Sequence, residues 1–244
     1  MKHNLLLALA VTSAAVSASA FDGTIAQFNQ TGFNKPFVFN NDESVTGAAT
    51  FNATGTPVSF TFDNLFTGAY AVLNGTRDAT MVMQATTSTK ATTVAGHPDW
   101  LNQILDSGSL TFTSNTPVEG KSMLLKIAFE HAQIETHRKV GNIQAESYAR
   151  FCYDDCTSIT YTSDFIHFPA AGSESWDVAF TAMTPVPHIQ ANGLLADFAA
   201  DGAGSVAYSD TFQVIPEPST YAVLVGAAAL GIAALRRRFS AQGA

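Results

Sequence analysis

The sequence predicts an all-β fold: an antiparallel β-sandwich of jelly-roll type with one short helix, flanked by an N-terminal signal helix and a C-terminal membrane helix. Three observations carry this. Across residues 21–215, short stretches rich in Thr, Val and Phe alternate apolar with polar side chains, the period of a half-buried strand. Turn residues interrupt them without the strand–helix–strand rhythm of a parallel sheet. The two longest uncharged apolar runs lie outside this region, one at each end.

The N-terminal run comes first. Met1-Lys2-His3-Asn4 is a short positive start, Leu5 to Val11 is apolar, and Ala18-Ser19-Ala20 places small residues at the −3 and −1 positions of a cleavage site. This is the layout of a secretory signal peptide over residues 1–20, with Phe21 as the mature N-terminus. A buried first helix fits less well, because no polar residue patterns the run and Phe21-Asp22-Gly23 follows at once.

Within residues 21–215, Val58, Phe60 and Phe62 alternate with Ser59 and Thr61. Leu110 and Phe112 alternate with Thr111 and Thr113, and Trp176, Val178 and Phe180 with Asp177, Ala179 and Thr181. Thr54-Gly55-Thr56-Pro57 reads as a turn between Phe51-Asn52-Ala53 and the strand from Val58, and Asn74-Gly75 as a hairpin signal. Gly108 and Gly202 are also assigned to turns. His97 to Leu105 departs from the pattern: Trp100, Leu101, Ile104 and Leu105 fall at helical spacing, Pro98 suits a first turn, and Gly108 lies just past the end. One short helix capping the sandwich is expected there. Strand periodicity does not settle whether the sheet closes, so a barrel stays open beside the sandwich. No repeat of about 20–50 residues argues for a propeller or solenoid.

Composition narrows the function. Of 244 residues only 13% are charged, against about 25% in ordinary domains, while 18 phenylalanines supply a core. All 20 acidic residues but only 8 of the 12 basic ones lie between Phe21 and Glu217, a net of −12 for that stretch. Such a body repels phosphate backbones, which excludes a nucleic-acid partner.

The C-terminal run is Pro216-Glu217-Pro218-Ser219-Thr220, then Tyr221 to Leu235 without a charge, then Arg236-Arg237-Arg238. As a helix, residues 221–235 span about 22 Å, short of the roughly 30 Å hydrocarbon core. Snorkelling arginine stems extend the reach and keep that end cytoplasmic. A helix packed on the domain fits poorly, since Ala222 to Leu235 has no polar face.

The P-E-P triplet, the short Ala/Leu/Gly-rich run and the terminal arginines resemble the PEP-CTERM sorting tail of exported Gram-negative proteins, over residues 216–244. The resemblance implies Sec export and signal peptidase processing, transient retention at the inner membrane, and cleavage by an exosortase-type protease near Pro216, Glu217 and Pro218, with Arg236, Arg237 and Arg238 inside. Release to the cell surface or extracellular matrix follows, usually in bacteria that make exopolysaccharide. Leu110-Thr111-Phe112-Thr113, Ser163 to Phe168, Ala179 to Pro185 and Leu195 to Phe198 are similar to pieces of other β-rich bodies of this family. The resemblance assigns them no reaction.

Candidate chemistry in the body is sparse. Cys152 and Cys156 are the only cysteines; in an exported chain a disulfide staple is favoured over a thiol metal site or redox catalysis. His131, Gln133, Glu135 and His137 share one strand face, but the two histidines would lie about 20 Å apart on a straight strand, too far for one metal ion. Leu125, Ile127 and Phe129 share that parity while Ala132 and Ile134 do not, which predicts a bulge or an exit from the sheet near Glu130. Asp154-Asp155, Asp197 and Asp201 are read as solvated loop acids, without a calcium-loop order. No nucleophile elbow, zinc motif or phosphate loop is present in the sequence, so no catalytic residue, metal or cofactor is assigned. Trp100, Trp176, Tyr148, Tyr153, Tyr161 and Tyr208 could build a sugar platform, although core positions suit most of them better. The sequence therefore favours a non-catalytic surface or matrix protein, with an extracellular carbohydrate-binding module, or a secreted hydrolase, as the alternatives.

Overall fold

The computed structural model describes residues 18–41, 48–137, 147–151, 158–169 and 173–215. They form antiparallel sheet with almost no helix. Twelve strands run β1 Ala18–Gln30, β2 Phe37–Asn41, β3 Ala49–Phe62, β4 Arg77–Thr87, β5 Thr92–Val94, β6 His97–Val118, β7 Lys121–His137, β8 Ser147–Phe151, β9 Ser158–Thr162, β10 Ile166–His167, β11 Ser173–Thr184 and β12 Phe198–Val214. A 3₁₀ helix spans Gly68–Asn74. The pairing path β6-β4-β3-β1-β12-β11-β8-β7 returns to its start because β6 also pairs with β7. Eight strands are thus linked in a ring of hydrogen-bonded neighbours, a closure that alternating side chains cannot reveal.

The predicted alternations are met. Val58, Phe60, Phe62, Leu110, Phe112, Trp176, Val178 and Phe180 are all buried. Aromatic rings dominate the interior: Phe51 meets Phe37, Phe39, Phe180 and Phe198 at centroid distances of 5.4–6.4 Å, and Phe112 meets Phe28 and Phe60 at 4.8 and 4.9 Å. Tilted, edge-on and stacked contacts of this kind add to the burial of the rings.

The helix expected at His97–Leu105 is instead the first part of β6. Its buried side chains alternate, Leu101, Gln103 and Leu105, and Trp100 to Leu105 pair in register with His137 to Ala132 of β7. The neighbouring strand overrides a weak helical spacing. Gln103 is fully buried and its amide donates to Thr87 Oγ1 at 3.0 Å and Thr89 O at 2.6 Å. Its Oε1 accepts from the Leu195 amide at 3.2 Å.

Turn assignments are corrected too. Thr54 and Gly55 form a bulge inside β3, where the pairing slips between Ala53 and Thr56. Asn74-Gly75 is not a hairpin turn: Asn74 ends the 3₁₀ helix and its side chain brackets Phe66, accepting from its N–H at 2.9 Å and donating to its carbonyl at 2.8 Å. Glu119-Gly120 forms a two-residue hairpin between β6 and β7, with both φ values positive at 51° and 76°, as a type I′ turn requires. Gly108 and Gly202 lie inside β6 and β12. A Cβ at Gly108 would overlap the ring of its cross-strand partner Phe129 and stand 2.7 Å from the Ala85 Cβ. One at Gly202 would stand 2.7 Å from the Phe37 ring. Both glycines make room for a neighbouring aromatic ring.

β1 and β2 occupy one lane between β3 and β12, interrupted by an excursion over residues 31–36. Buried Asp201 holds the excursion, its Oδ1 accepting from Gln30 Nε2 at 2.9 Å and the Lys35 amide at 2.7 Å. Asp201 is therefore neither a loop residue nor solvated. Asp197 is an exposed loop acid, as expected, and also accepts the Asn41 amide at 2.6 Å.

Candidate functional site

The two predicted processing sites meet the fold at one place. Ala18 and Ala20 are the first and third residues of β1, and Ala18 pairs with Gln213 near the end of β12. The chain leaves the sheet after Val214, where the Ile215 amide donates to the Phe165 carbonyl at 2.8 Å. The N-terminal and C-terminal segments thus join the body side by side on paired strands. Pro216, Glu217, Pro218, Tyr221 to Leu235 and Arg236, Arg237 and Arg238 lie outside the described residues, as do Cys152, Cys156, Tyr153, Asp154 and Asp155. Among the described residues no helix is long and apolar enough to cross a membrane.

The histidine row lies along β7, which stays in the sheet to His137. Neither the expected bulge nor the exit occurs there, since β7 keeps its register with β6 through Glu130, but its inward parity changes. Phe129 and Ala132 are buried, Glu130 and His131 between them are exposed, and His131 has a φ of 58°. Opposite, β6 switches its inward parity between Leu105 and Leu110. Both strands of the ladder bend together at this level. Asp106 sits at the bend and binds the 88–89 turn: Oδ2 accepts from Ser88 N at 2.6 Å and Ser88 Oγ at 2.7 Å, and Oδ1 from Thr89 Oγ1 at 2.7 Å. Partial burial raises its carboxyl, but the hydrogen bonds from Thr89 and Ser88, with the charge of His131, outweigh this and hold it below the ordinary value. Among the described residues no group of three or more His, Cys, Asp and Glu side chains is placed to hold a metal ion.

The aromatic candidates divide in the same way. Trp176, Tyr161 and Tyr208 are buried, at 2%, 4% and 1% exposure, so they are core rings and not a sugar platform. Trp100 is half-buried beside His97, ring centroids 5.2 Å apart. The Tyr161 hydroxyl donates to the Ser175 carbonyl at 2.6 Å, and burial, reinforced by the nearby Glu174 carboxylate, pushes that phenol up. Burial also pushes the Glu174 carboxyl up to about 7, against a hydrogen bond from the Tyr161 backbone.

A groove lies on the outer face of β3, β4 and β6. Its volume is about 520 Å³, within the roughly 300–1,000 Å³ of small-molecule sites. Two rungs line it: Thr50, Thr86 and Ser107 lie in one cross-strand row, and Asn52, Gln84 and Ser109 in the next. Ala85 and Gly108 lie between the rungs. Among the described residues none of these six side chains has a protein hydrogen-bond partner. No charged residue lines the groove. Sequence reasoning missed it because its residues come from three strands up to 59 positions apart, each an ordinary Ser, Thr, Asn or Gln on an outward position.

The model of the family described as the PEP-CTERM protein-sorting motif matches residues 214–238. The chain carries a PEP-CTERM sorting motif. No curated protein and no solved structure matches the chain. The motif begins at the last residue of β12, so the sorting segment starts where the sheet stops. A PEP-CTERM motif implies export, exosortase processing at the membrane, and a cell-surface or extracellular destination in a Gram-negative bacterium.

Proposed function

We propose that this is a non-catalytic protein of the cell surface or extracellular matrix, delivered by its two end segments and associated with exopolysaccharide. The PEP-CTERM match at residues 214–238 carries the reading. The Sec translocon exports the chain, and signal peptidase cuts after Ala20. That cut trims β1 by three of its 13 residues and leaves Phe21 paired with Asp210. Tyr221 to Leu235 then holds the chain at the inner membrane with Arg236, Arg237 and Arg238 on the cytoplasmic side. Exosortase cleavage near Pro216-Glu217-Pro218 releases the body. The pairing of Ala18 with Gln213 brings the starting points of the two end segments side by side. Hydroxyl and amide side chains line the outer groove, and such groups bind polar ligands without supplying a general acid or base near neutral pH.

The test is the intact mass of the protein from surface, matrix and inner-membrane fractions of a native producer. The expected result is a species starting at Phe21 and ending near the P-E-P triplet, enriched in the matrix fraction. Replacing Glu217 should leave the uncut precursor in the inner membrane. Surface material that keeps residues 221–235 throughout, or unchanged processing of the Glu217→Ala chain, would overturn the reading.

A further inference from the structure

We infer that the groove on the outer face of β3, β4 and β6 is a binding site for a neutral glycan. The inference rests on the reading of the protein as a matrix component and gives that reading a ligand class.

The lining chemistry selects the ligand. Thr50, Asn52, Gln84, Thr86, Ser107 and Ser109 present hydroxyls and primary amides, groups that both donate and accept. A sugar hydroxyl also does both, so either partner can reverse roles to complete a bond. Most of these groups are exposed, and Asn52 and Ser109 are half-buried. Among the described residues none is spent on the protein itself. By contrast, the polar side chains just beyond the groove are engaged, with Ser88 and Thr89 both bound to Asp106.

The geometry suits an extended chain. Side chains on one face of a strand recur at about 6.8 Å, and neighbouring strands lie about 4.8 Å apart. The two rungs therefore form a regular grid of polar groups along the floor of a trough. Gly108 has no side chain and Ala85 is buried, so the strip between the rungs stays low.

Charge decides between neutral and acidic polymers. No Lys, Arg or His lines the groove to pair with a uronate or phosphate. Glu130 faces solvent next to Ser107 in the same row, on the side away from Thr86. An anionic polymer meets like charge at that edge. No aromatic ring lines the floor to stack on a sugar face, so affinity for a short oligosaccharide is weak, with Kd on the order of 1 mM, and a repeating polymer binds through many contacts.

The experiment is native affinity electrophoresis of the full chain in a polyoxyethylene detergent, which carries no sugar. Gels contain dextran, galactomannan or alginate. The expected result is retardation by at least one neutral polysaccharide and none by alginate. Asn52→Ala with Gln84→Ala should weaken that retardation at least about fivefold, since each loses a hydrogen bond to the ligand. Ser59→Ala, on the same strand outside the groove, should change nothing. No retardation by either neutral polymer, retardation by alginate alone, or retardation unchanged in the double variant would overturn the inference. Matrix co-fractionation of the native protein without neutral-polysaccharide retardation overturns the groove and leaves the matrix reading standing. Groove-dependent retardation of a protein absent from the matrix supports the groove and overturns the matrix reading.

Discussion

Glu174 makes a pH-dependent cost that can be measured directly. It stands at the start of β11, half-buried, with a carboxyl pushed up to about 7 by burial from an ordinary value of 4.5. Between those values the folded chain holds a proton that the unfolded chain has released. Stability therefore falls as pH rises through this window, and it levels off on either side. Each pKa unit corresponds to about 1.4 kcal/mol, which would give roughly 3 kcal/mol for a fully enclosed group. Solvent screening at a half-exposed carboxylate reduces this to about 1–2 kcal/mol. Glu174→Gln keeps an acceptor for the Tyr161 amide and removes the charge. Urea unfolding of the full chain and of this variant should give equal stabilities near pH 4, with the variant ahead by about 1–2 kcal/mol near pH 8. Groups common to both chains cancel in the difference. A constant difference across the range, or a variant less stable near pH 8, would refute burial as the source of the raised pKa.

Gly108→Ala should cost about 2–3 kcal/mol in the same unfolding assay, because the new methyl overlaps the Phe129 ring; adding Phe129→Leu should recover part of the loss. Phe51→Ala removes a ring that touches Phe37, Phe39, Phe180 and Phe198 and should cost about 3–5 kcal/mol. Asn41→Ala should cost about 2–3 kcal/mol by urea unfolding, since its buried amide donates to Gln190 Oε1 at 2.7 Å and the Leu195 carbonyl at 2.8 Å, and its Oδ1 accepts from Asn192 at 2.7 Å. Equal stability of wild type and Asn41→Ala would show that this cluster does not hold the 190–195 loop.

The strands around Phe60, Phe112 and Val178 were legible because a side chain's face follows from its parity once one side is buried. The parity change in β7 near Glu130 was legible too, although neither the bulge nor the exit expected from it occurs against β6. His97 to Leu105 was misread because its apolar residues fit two periods, and only pairing with β7 chose between them. Asp201 was misread because an acid in a polar stretch gives no sign that a backbone amide points at it. Trp176, Tyr161 and Tyr208 failed as a platform for a simpler reason: large rings in alternating strands belong mostly to the core.

What the sequence by itself determined was the all-β class and the sorting address. Both are local signals: alternation along a strand, and a triplet, an apolar run and an Arg cluster within 25 matched residues. Only the tertiary structure decided that β6 returns to β7 to link eight strands in a ring, that both end segments leave from one paired edge, and that six uncharged side chains from three strands share a groove. The physical reason is that register and closure arise between strands distant in the chain, where hydrogen-bonding partners are set by the whole sheet and not by neighbours in sequence.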